Sequence, residues 1–128
     1  MDGQISWYVQ LAVKPGQIEN FKALTRDMVE CARGEPGVLS YQRFVSDDNK
    51  FIHVYERYAD SAAAVAHLRK FGNKFSPRFL AMVERTQFLV FGEPSDELRE
   101  LLDGFGVTYL KPFGDFPQPT ILGEESIG

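Results

Sequence analysis

The chain has 128 residues, 44% of them hydrophobic, which is the size and composition of one globular domain and not of a disordered chain. A formal net charge of −4 argues against a nucleic-acid partner, because binding to phosphates depends on clustered lysine and arginine. There is no long apolar run and no signal-peptide pattern, and Cys31 is the single cysteine. Together these features predict a cytoplasmic protein with no disulfide and no membrane partner.

The first half of the chain predicts a strand, a helix and a hairpin. Residues 5–13, ISWYVQLAV, are rich in β-branched and aromatic residues, as strands are. Apolar residues at intervals of three and four then predict a helix over residues 17–33, which the following GEP sequence ends. Residues 37–45 and 50–58 predict two strands joined by the polar turn SDDN.

The second half predicts two helices and a closing strand. Asp60 or Ser61 caps a helix that runs through an alanine-rich segment to about residue 71. A short helix follows as far as Met82, and residues 84–92 predict a fourth strand. The order β-α-β-β-α-β is that of the ferredoxin-like α+β fold with an antiparallel sheet.

Residues 93–128 extend beyond this pattern. EPSDELRELLDGFG predicts a short helix, and VTYLKPF predicts an added edge strand. The tail from Gly114 is rich in proline and glycine and predicts irregular structure. We therefore divide the chain into a domain at residues 1–92 and a C-terminal extension at residues 93–128, which packs on the same domain or on its partner.

The predicted sheet carries large side chains on both faces. In the first strand Trp7 alternates with Tyr8, and in the third strand Val54 alternates with His53 and Tyr55. Two helices cover only one face of such a sheet. The other face therefore needs a second cover, which either a partner subunit or the extension could supply.

Four segments of the sequence together resemble the antibiotic biosynthesis monooxygenase family: KPGQIENF, GEPGVLSYQRF, FIHVYERYADSAAAVAHLRKFGNKF and TQFLVF. The resemblance covers residues 4–92, and its most specific part is the spacing of Glu56, Tyr58, Ala63 and His67. It implies a homodimer with a dimeric α+β barrel fold. It also implies a pocket in each protomer, between the helices and the sheet.

Many members of that family are cofactor-free oxygenases of phenolic or quinol substrates. Others degrade haem, isomerise a small phosphorylated signal molecule or have no assigned reaction. Members that degrade haem carry Asn, Trp and His at the positions held here by Val9, His67 and Pro77, which argues against haem. Two histidines and one cysteine without paired spacing also argue against zinc, so we expect no cofactor and no metal.

The oxygenase reaction needs a base for a phenolic hydroxyl, donors for the resulting anion and an apolar pocket that excludes water. His67 is the candidate catalytic residue, because it lies beside the apolar stripe of its helix and a neutral imidazole is a base near neutral pH. The candidate substrate-binding residues lie near it on the predicted helices or on the sheet: Trp7, His53, Glu56, Phe71, Asn73, Phe75 and Arg78.

Each candidate also has a purely structural interpretation. His67 could bond a backbone carbonyl, and His53 could lie against the partner. The phenylalanines could be core residues, and Glu56 could pair with Arg43 or Arg57 across the hairpin. We expect a cofactor-independent monooxygenase that oxidises a quinol or polycyclic phenol with dioxygen. The alternatives are a non-catalytic small-molecule-binding module and an isomerase of a small polar metabolite.

Overall fold

The computed structural model describes residues 3–114 and residue 116. The predicted α+β class and element order are confirmed, and the elements are β1 (Ile5–Val13), α1 (Ile18–Arg33), β2 (Val38–Val45), β3 (Phe51–Tyr58), α2 (Ser61–Lys74), α3 (Ser76–Met82), β4 (Val83–Phe91), α4 (Asp96–Asp103) and β5 (Thr108–Leu110). Asp60 caps α2 by accepting a hydrogen bond from the Ala63 backbone N–H at 2.9 Å. Most of the predicted irregular tail lies outside the described residues.

One five-stranded sheet organises the fold, with the strand order β2-β3-β1-β4-β5. The first four strands pair antiparallel, as the ferredoxin-like order predicts. The added strand β5 pairs parallel to β4, so the sheet is mixed and not wholly antiparallel. The reason is that α4 carries the chain back to the starting end of β4, which is how parallel neighbours are connected.

The core lies on one face of this sheet. In β1, alternate residues Ile5, Trp7, Val9 and Leu11 are buried, following the two-residue period of a strand. All four described helices add buried side chains to the same apolar cluster. The helices therefore cover the core face and leave the cavity described below at the sheet surface.

None of the described helices combines the length and the apolar character that crossing a bilayer requires.

The opposite face of the sheet is less completely covered. Tyr8, His53 and Tyr55 on this face are half-buried, and Phe44 is 56% exposed. Within the described residues the extension does not cover this face, because the buried leucines of α4 join the core on the helix side. The described part of the extension is thus not the second cover that this face of the sheet needs.

The packing of α4 can be tested by truncating one of its buried leucines. Leu98 is completely buried, so Leu98→Ala is expected to lower the free energy of unfolding by about 3 kcal/mol. Urea unfolding followed by circular dichroism measures this loss. Leu80→Ala is the matched control, since Leu80 is 45% exposed and its loss is expected to stay within about 0.5 kcal/mol. Equal losses for both variants would contradict the packing of the extension into the core.

Candidate functional site

A cavity opens between the helices and the core face of the sheet. It contains about 430 Å³ of empty space, counting the part that is open to solvent. Four ionisable side chains line it: Arg43, Glu56, His67 and Arg85. The rest of its lining is apolar, with a large aromatic share: Trp7, Phe71, Phe79, Phe88 and Phe105 beside four aliphatic residues. An apolar cavity with a few converging polar groups is the usual form of a small-molecule site.

Glu56 is the centre of the polar network in the cavity. The alternation of β3 places its side chain on the core face, where the residue is only 4% exposed. Its Oε1 accepts hydrogen bonds from Trp7 Nε1 at 2.8 Å and from the Tyr58 hydroxyl at 2.5 Å. Its Oε2 accepts one from Arg43 Nη2 at 2.6 Å. These donors offset the free-energy cost of burying an ionised carboxylate, which is large when the carboxylate has no partners.

The surroundings of Glu56 favour its ionised form. Burial alone would raise the pKa of Glu56, but the charge of Arg43 and the hydrogen bonds from Tyr58 and Arg43 lower it below its usual value. Burial and the neighbouring carboxylate raise the pKa of Tyr58 well above its usual value, so its hydroxyl stays protonated and donates. Burial likewise raises the pKa of Tyr41, whose ring lies 3.6 Å from the guanidinium carbon of Arg43.

His67 lies between two carboxylates and is 5% exposed. Its Nδ1 is 2.9 Å from Oε1 of Glu35, and its Nε2 is 3.7 Å from Oε1 of Glu56. Since an ionised carboxylate only accepts hydrogen bonds, the pairing with Glu35 places a proton on Nδ1. In the neutral imidazole this leaves Nε2 with its lone pair, beside Glu56, in a side chain that lines the cavity.

A close backbone approach brings Glu35 to His67. Gly37 has φ +87°, and a Cβ at this position would lie 2.7 Å from the Cβ of Ala63. The absence of a side chain therefore lets the loop after α1 rest directly on α2. Ala63 precedes His67 by about one helical turn, so the same loop places the Glu35 carboxylate against the imidazole.

Arg85 enters the cavity because β4 contains a β-bulge. Gln87 pairs with Gln10 of β1, but Arg85 pairs with Leu11, so Thr86 is an extra residue in the ladder. The bulge reverses the alternation and brings Arg85 to the core face. Its guanidinium carbon lies 5.1 Å from the centre of the Phe79 ring.

Four of the candidate residues named from the sequence come together here. Trp7, Glu56, His67 and Phe71 all line the cavity. The cross-strand pairing of Glu56 with Arg43, one of the structural interpretations, is also present, as a salt bridge of 2.6 Å between largely buried groups. A structural and a functional interpretation of Glu56 are thus compatible, because the same carboxylate is both paired and at the cavity surface.

The other four candidates lie elsewhere. Phe75 is buried in the core beside Phe71 without lining the cavity. Asn73 is exposed, and Arg78 points to Asp27 with a nitrogen–oxygen distance of 3.8 Å. The Nδ1 atom of His53 lies 2.6 Å from the Tyr8 hydroxyl on the opposite face of the sheet. In place of Asn73 and Arg78, the arginines that line the cavity are Arg43 and Arg85 of the sheet.

Sequence reasoning did not single out Glu35, Arg85 or Phe105 for the site. Glu35 lies in a loop. The one sequence signal near it is Gly37, because a glycine allows the backbone of a loop to approach a neighbouring helix closely. Strand alternation alone places Arg85 on the wrong face, because a bulge has no clear sequence signal here. Phe105 follows α4 in the extension, whose position relative to the sheet could not be predicted from residue patterns.

The described residues contain no group of three or more His, Cys, Asp or Glu side chains arranged to hold a metal ion. The ionisable groups of the cavity instead pair with one another, as Glu56 does with Arg43. The chemistry available to the described cavity lining is therefore that of an imidazole, a paired carboxylate and two guanidinium groups in aromatic surroundings.

Comparison with known proteins gives a consistent family and fold. The family model for antibiotic biosynthesis monooxygenase matches residues 5–85. MupZ from Pseudomonas fluorescens superposes with a TM-score of 0.82 at 21% identity, over 92% of this chain and 97% of that one. SnoaB, a cofactor-independent oxygenase from Streptomyces nogalater, superposes with a TM-score of 0.55 at 14% identity, over 73% of this chain and 95% of that one. No curated protein matches the sequence significantly.

A third structure, a putative antibiotic biosynthesis monooxygenase from Bacteriodes thetaiotaomicron VPI-5482, gives a TM-score of 0.60 at 23% identity and covers 70% of this chain and 86% of that one. At these identities the structures establish a shared fold. The match to MupZ covers 92% of this chain and so includes most of the extension, whereas the other two cover 70% and 73% of the chain.

The charge state of Glu56 makes the stability of the fold dependent on pH. A carboxyl whose pKa is lower in the folded chain stabilises the fold above its unfolded pKa, and this contribution disappears as the pH falls through the folded pKa. Glu56→Gln also leaves Arg43 buried without its charge partner, so we expect the free energy of unfolding to fall by about 3 kcal/mol near neutral pH.

The difference in unfolding free energy between the wild type and Glu56→Gln is expected to shrink as the pH falls below the usual carboxyl pKa of 4.5. Urea unfolding across this range measures it. Glu84→Gln, at an exposed position of β4, is the control and should change stability little at any pH. A difference that stays constant with pH would show that Glu56 is not ionised in the folded protein.

Proposed function

Because the chain belongs to the antibiotic biosynthesis monooxygenase family, we propose that it is a cytoplasmic, homodimeric monooxygenase that needs no cofactor and oxidises a quinol or polycyclic phenol with dioxygen. One observation carries this proposal. The buried His67 lines the cavity, with Nδ1 bonded to Glu35 and Nε2 3.7 Å from Oε1 of Glu56, and an imidazole held in this way suits an oriented general base. SnoaB, a cofactor-independent oxygenase, shares the fold.

The proposed reaction begins with proton transfer from the substrate hydroxyl to Nε2 of His67. Glu35 stabilises the imidazolium that forms, because its carboxylate accepts the Nδ1 hydrogen bond at 2.9 Å. The resulting anion is electron-rich enough to react directly with dioxygen. For a methylene carbon that becomes a carbonyl, the substrate gives four electrons to O₂, one oxygen atom enters the product and the other leaves as water.

The cavity also offers donors for the oxygen atoms of the anion. Arg43 lines it, and two of its nitrogen atoms, Nε and Nη1, are buried without a hydrogen-bond partner among the described residues. Unpaired buried donors are costly, so an oxygen atom of a bound substrate would gain from meeting them. The salt bridge to Glu56 and the ring of Tyr41 hold the guanidinium in place.

The aromatic walls of the cavity supply the third requirement of the reaction, an apolar pocket that excludes water. Phe71 contacts both His67 and Phe79, with ring centres 6.5 and 5.0 Å apart. Trp7 closes the sheet side and packs on Tyr58 with ring centres 4.7 Å apart. Such walls suit a flat ring system and limit the access of water to a reactive anion.

The charged lining supports one alternative, an isomerase of a small polar metabolite. Arg43 and Arg85 line the cavity together with Glu56 and His67, so a polar substrate would find several partners. Turnover of such a metabolite without consumption of oxygen would favour this function. A non-catalytic binding module would bind its ligand and leave it unchanged.

Oxygen uptake without added metal or flavin tests the monooxygenase directly, on a panel of naphthoquinols and anthrone-like phenols. Wild type is expected to consume oxygen with at least one substrate, and His67→Ala is expected to lower the rate at least about 100-fold, the usual contribution of a general base. His53→Ala is the matched control, because His53 lies on the opposite face of the sheet and should leave the rate unchanged.

Two results would count against this proposal. Uptake that persists in His67→Ala would remove the proposed base while keeping the reaction class. No uptake across the panel by folded wild type would reject the monooxygenase and turn attention to the isomerase or the binding module.

The homodimer in this proposal rests on the uncovered sheet face. Phe44 is 56% exposed there, and Tyr8, His53 and Tyr55 are half-buried. A second copy of the chain that applies the same face would bury these side chains, and the apolar area would favour association. The family resemblance implies the same arrangement.

Light scattering tests the dimer and its interface. Wild type is expected at twice the chain mass of 14.5 kDa, and Phe44→Asp is expected to shift the population to monomer, because a carboxylate on each copy would lose hydration in the interface. Leu80→Asp, exposed on α3, is the control and should remain dimeric. A monomeric wild type would contradict the dimer, and a dimeric Phe44→Asp would contradict this interface.

A further inference from the structure

We propose that the substrate of this cavity carries a carboxylate and that Arg85 binds this group. The inference rests on the proposed function only in that the same cavity receives the substrate. It concerns recognition of one charged group and not the reaction itself. The argument starts from the charges that line the cavity.

All the ionisable groups of the cavity except one have a partner within the chain. Glu56 is paired with Arg43 at 2.6 Å and accepts two further hydrogen bonds. His67 is paired with Glu35 at 2.9 Å. Among the described residues, Arg85 has no carboxylate oxygen within 4.0 Å, so it is the cation whose charge is not matched.

Two aromatic rings hold the Arg85 side chain. Its guanidinium carbon is 5.1 Å from the centre of the Phe79 ring and 4.7 Å from that of Phe105. Contacts of this kind stabilise the cation and fix the plane of the guanidinium, while its N–H edges stay available for hydrogen bonds. Partial burial lowers the pKa of Arg85, which indicates a charge that has lost some of its hydration.

The chain uses two irregular features to build this position. The bulge at Thr86 brings Arg85 to the core face, and the segment after α4 supplies Phe105, which also packs on Phe88 with ring centres 5.7 Å apart. Arg85 is half-buried and Phe105 is 38% exposed, so both lie where the cavity meets solvent. The extension thus contributes a side chain to the cavity.

A carboxylate fits this position better than other anions. The planar guanidinium presents parallel N–H bonds that match the two oxygens of a carboxylate. Glu56 lies in the same cavity, and its negative charge would oppose a dianionic phosphate more strongly than a single negative charge. The aromatic lining would receive the apolar body of the molecule while the carboxylate stays at the mouth.

A matched pair of ligands tests the assignment: 4-phenylbutanoate and the neutral 4-phenylbutan-1-ol, which have the same apolar body. Trp7 is the only tryptophan of the chain and lines the cavity, so its fluorescence reports binding. Wild type is expected to bind the carboxylate about 10-fold more tightly than the alcohol, the effect of one charge-assisted hydrogen-bonded pair.

Arg85→Gln is expected to abolish this preference and to keep the affinity for the alcohol within about 2-fold. Arg85→Lys should retain part of the preference, because it keeps the charge and loses the paired donors. Arg78→Gln is the matched control, since Arg78 is exposed on α3 and should leave the preference at about 10-fold. Circular dichroism verifies that each variant is folded.

Equal binding of the two ligands by wild type, or no binding of the carboxylate, would overturn the assignment. So would a full preference in folded Arg85→Gln. The measurement needs no turnover, so its outcome does not depend on oxygen uptake. Absence of oxygen uptake would therefore leave the ligand preference unchanged. Conversely, absence of the carboxylate preference would not decide whether the wild type consumes oxygen.

Discussion

The rest of the cavity depends on one buried interaction, the ionised carboxylate of Glu56 and its donors from three strands. Arg43 of β2, Trp7 of β1 and Tyr58 of β3 all converge on it. A charge at this depth is tolerated only when nearly every acceptor position is satisfied, so the network ties the register of the three strands to the geometry of the site. Fold specificity and site geometry are thus set by the same atoms.

His67 is held from two sides by different parts of the chain. Glu35 reaches it from the loop after α1, and Glu56 faces it from the sheet. The loop contact depends on Gly37 resting against Ala63, where no larger residue fits. The position of the imidazole therefore depends on backbone packing at α2 as much as on its own helix, and the aromatic rings around it limit its rotation.

The regular parts of the fold could be predicted from the sequence, because alternation and three-to-four spacing report burial directly. The inward positions of Trp7, Glu56 and His67 follow from these periods. What could not be predicted depends on contacts between segments far apart in the chain: the approach of Glu35, the parallel course of β5 and the placement of Phe105. Asn73 and Arg78 are near His67 in sequence, yet helix geometry turns both toward solvent.

The bulge at Thr86 has a consequence for how such cavities diverge. A regular strand of the same length, in which Thr86 paired with Leu11 in place of Arg85, would turn the side chain of Arg85 to the other face of the sheet. Loss of the bulge would then remove a positive charge from the cavity mouth, although Arg85 would still be present in the chain. The gain or loss of a single bulge is therefore an evolutionary route to a new ligand preference on a conserved fold.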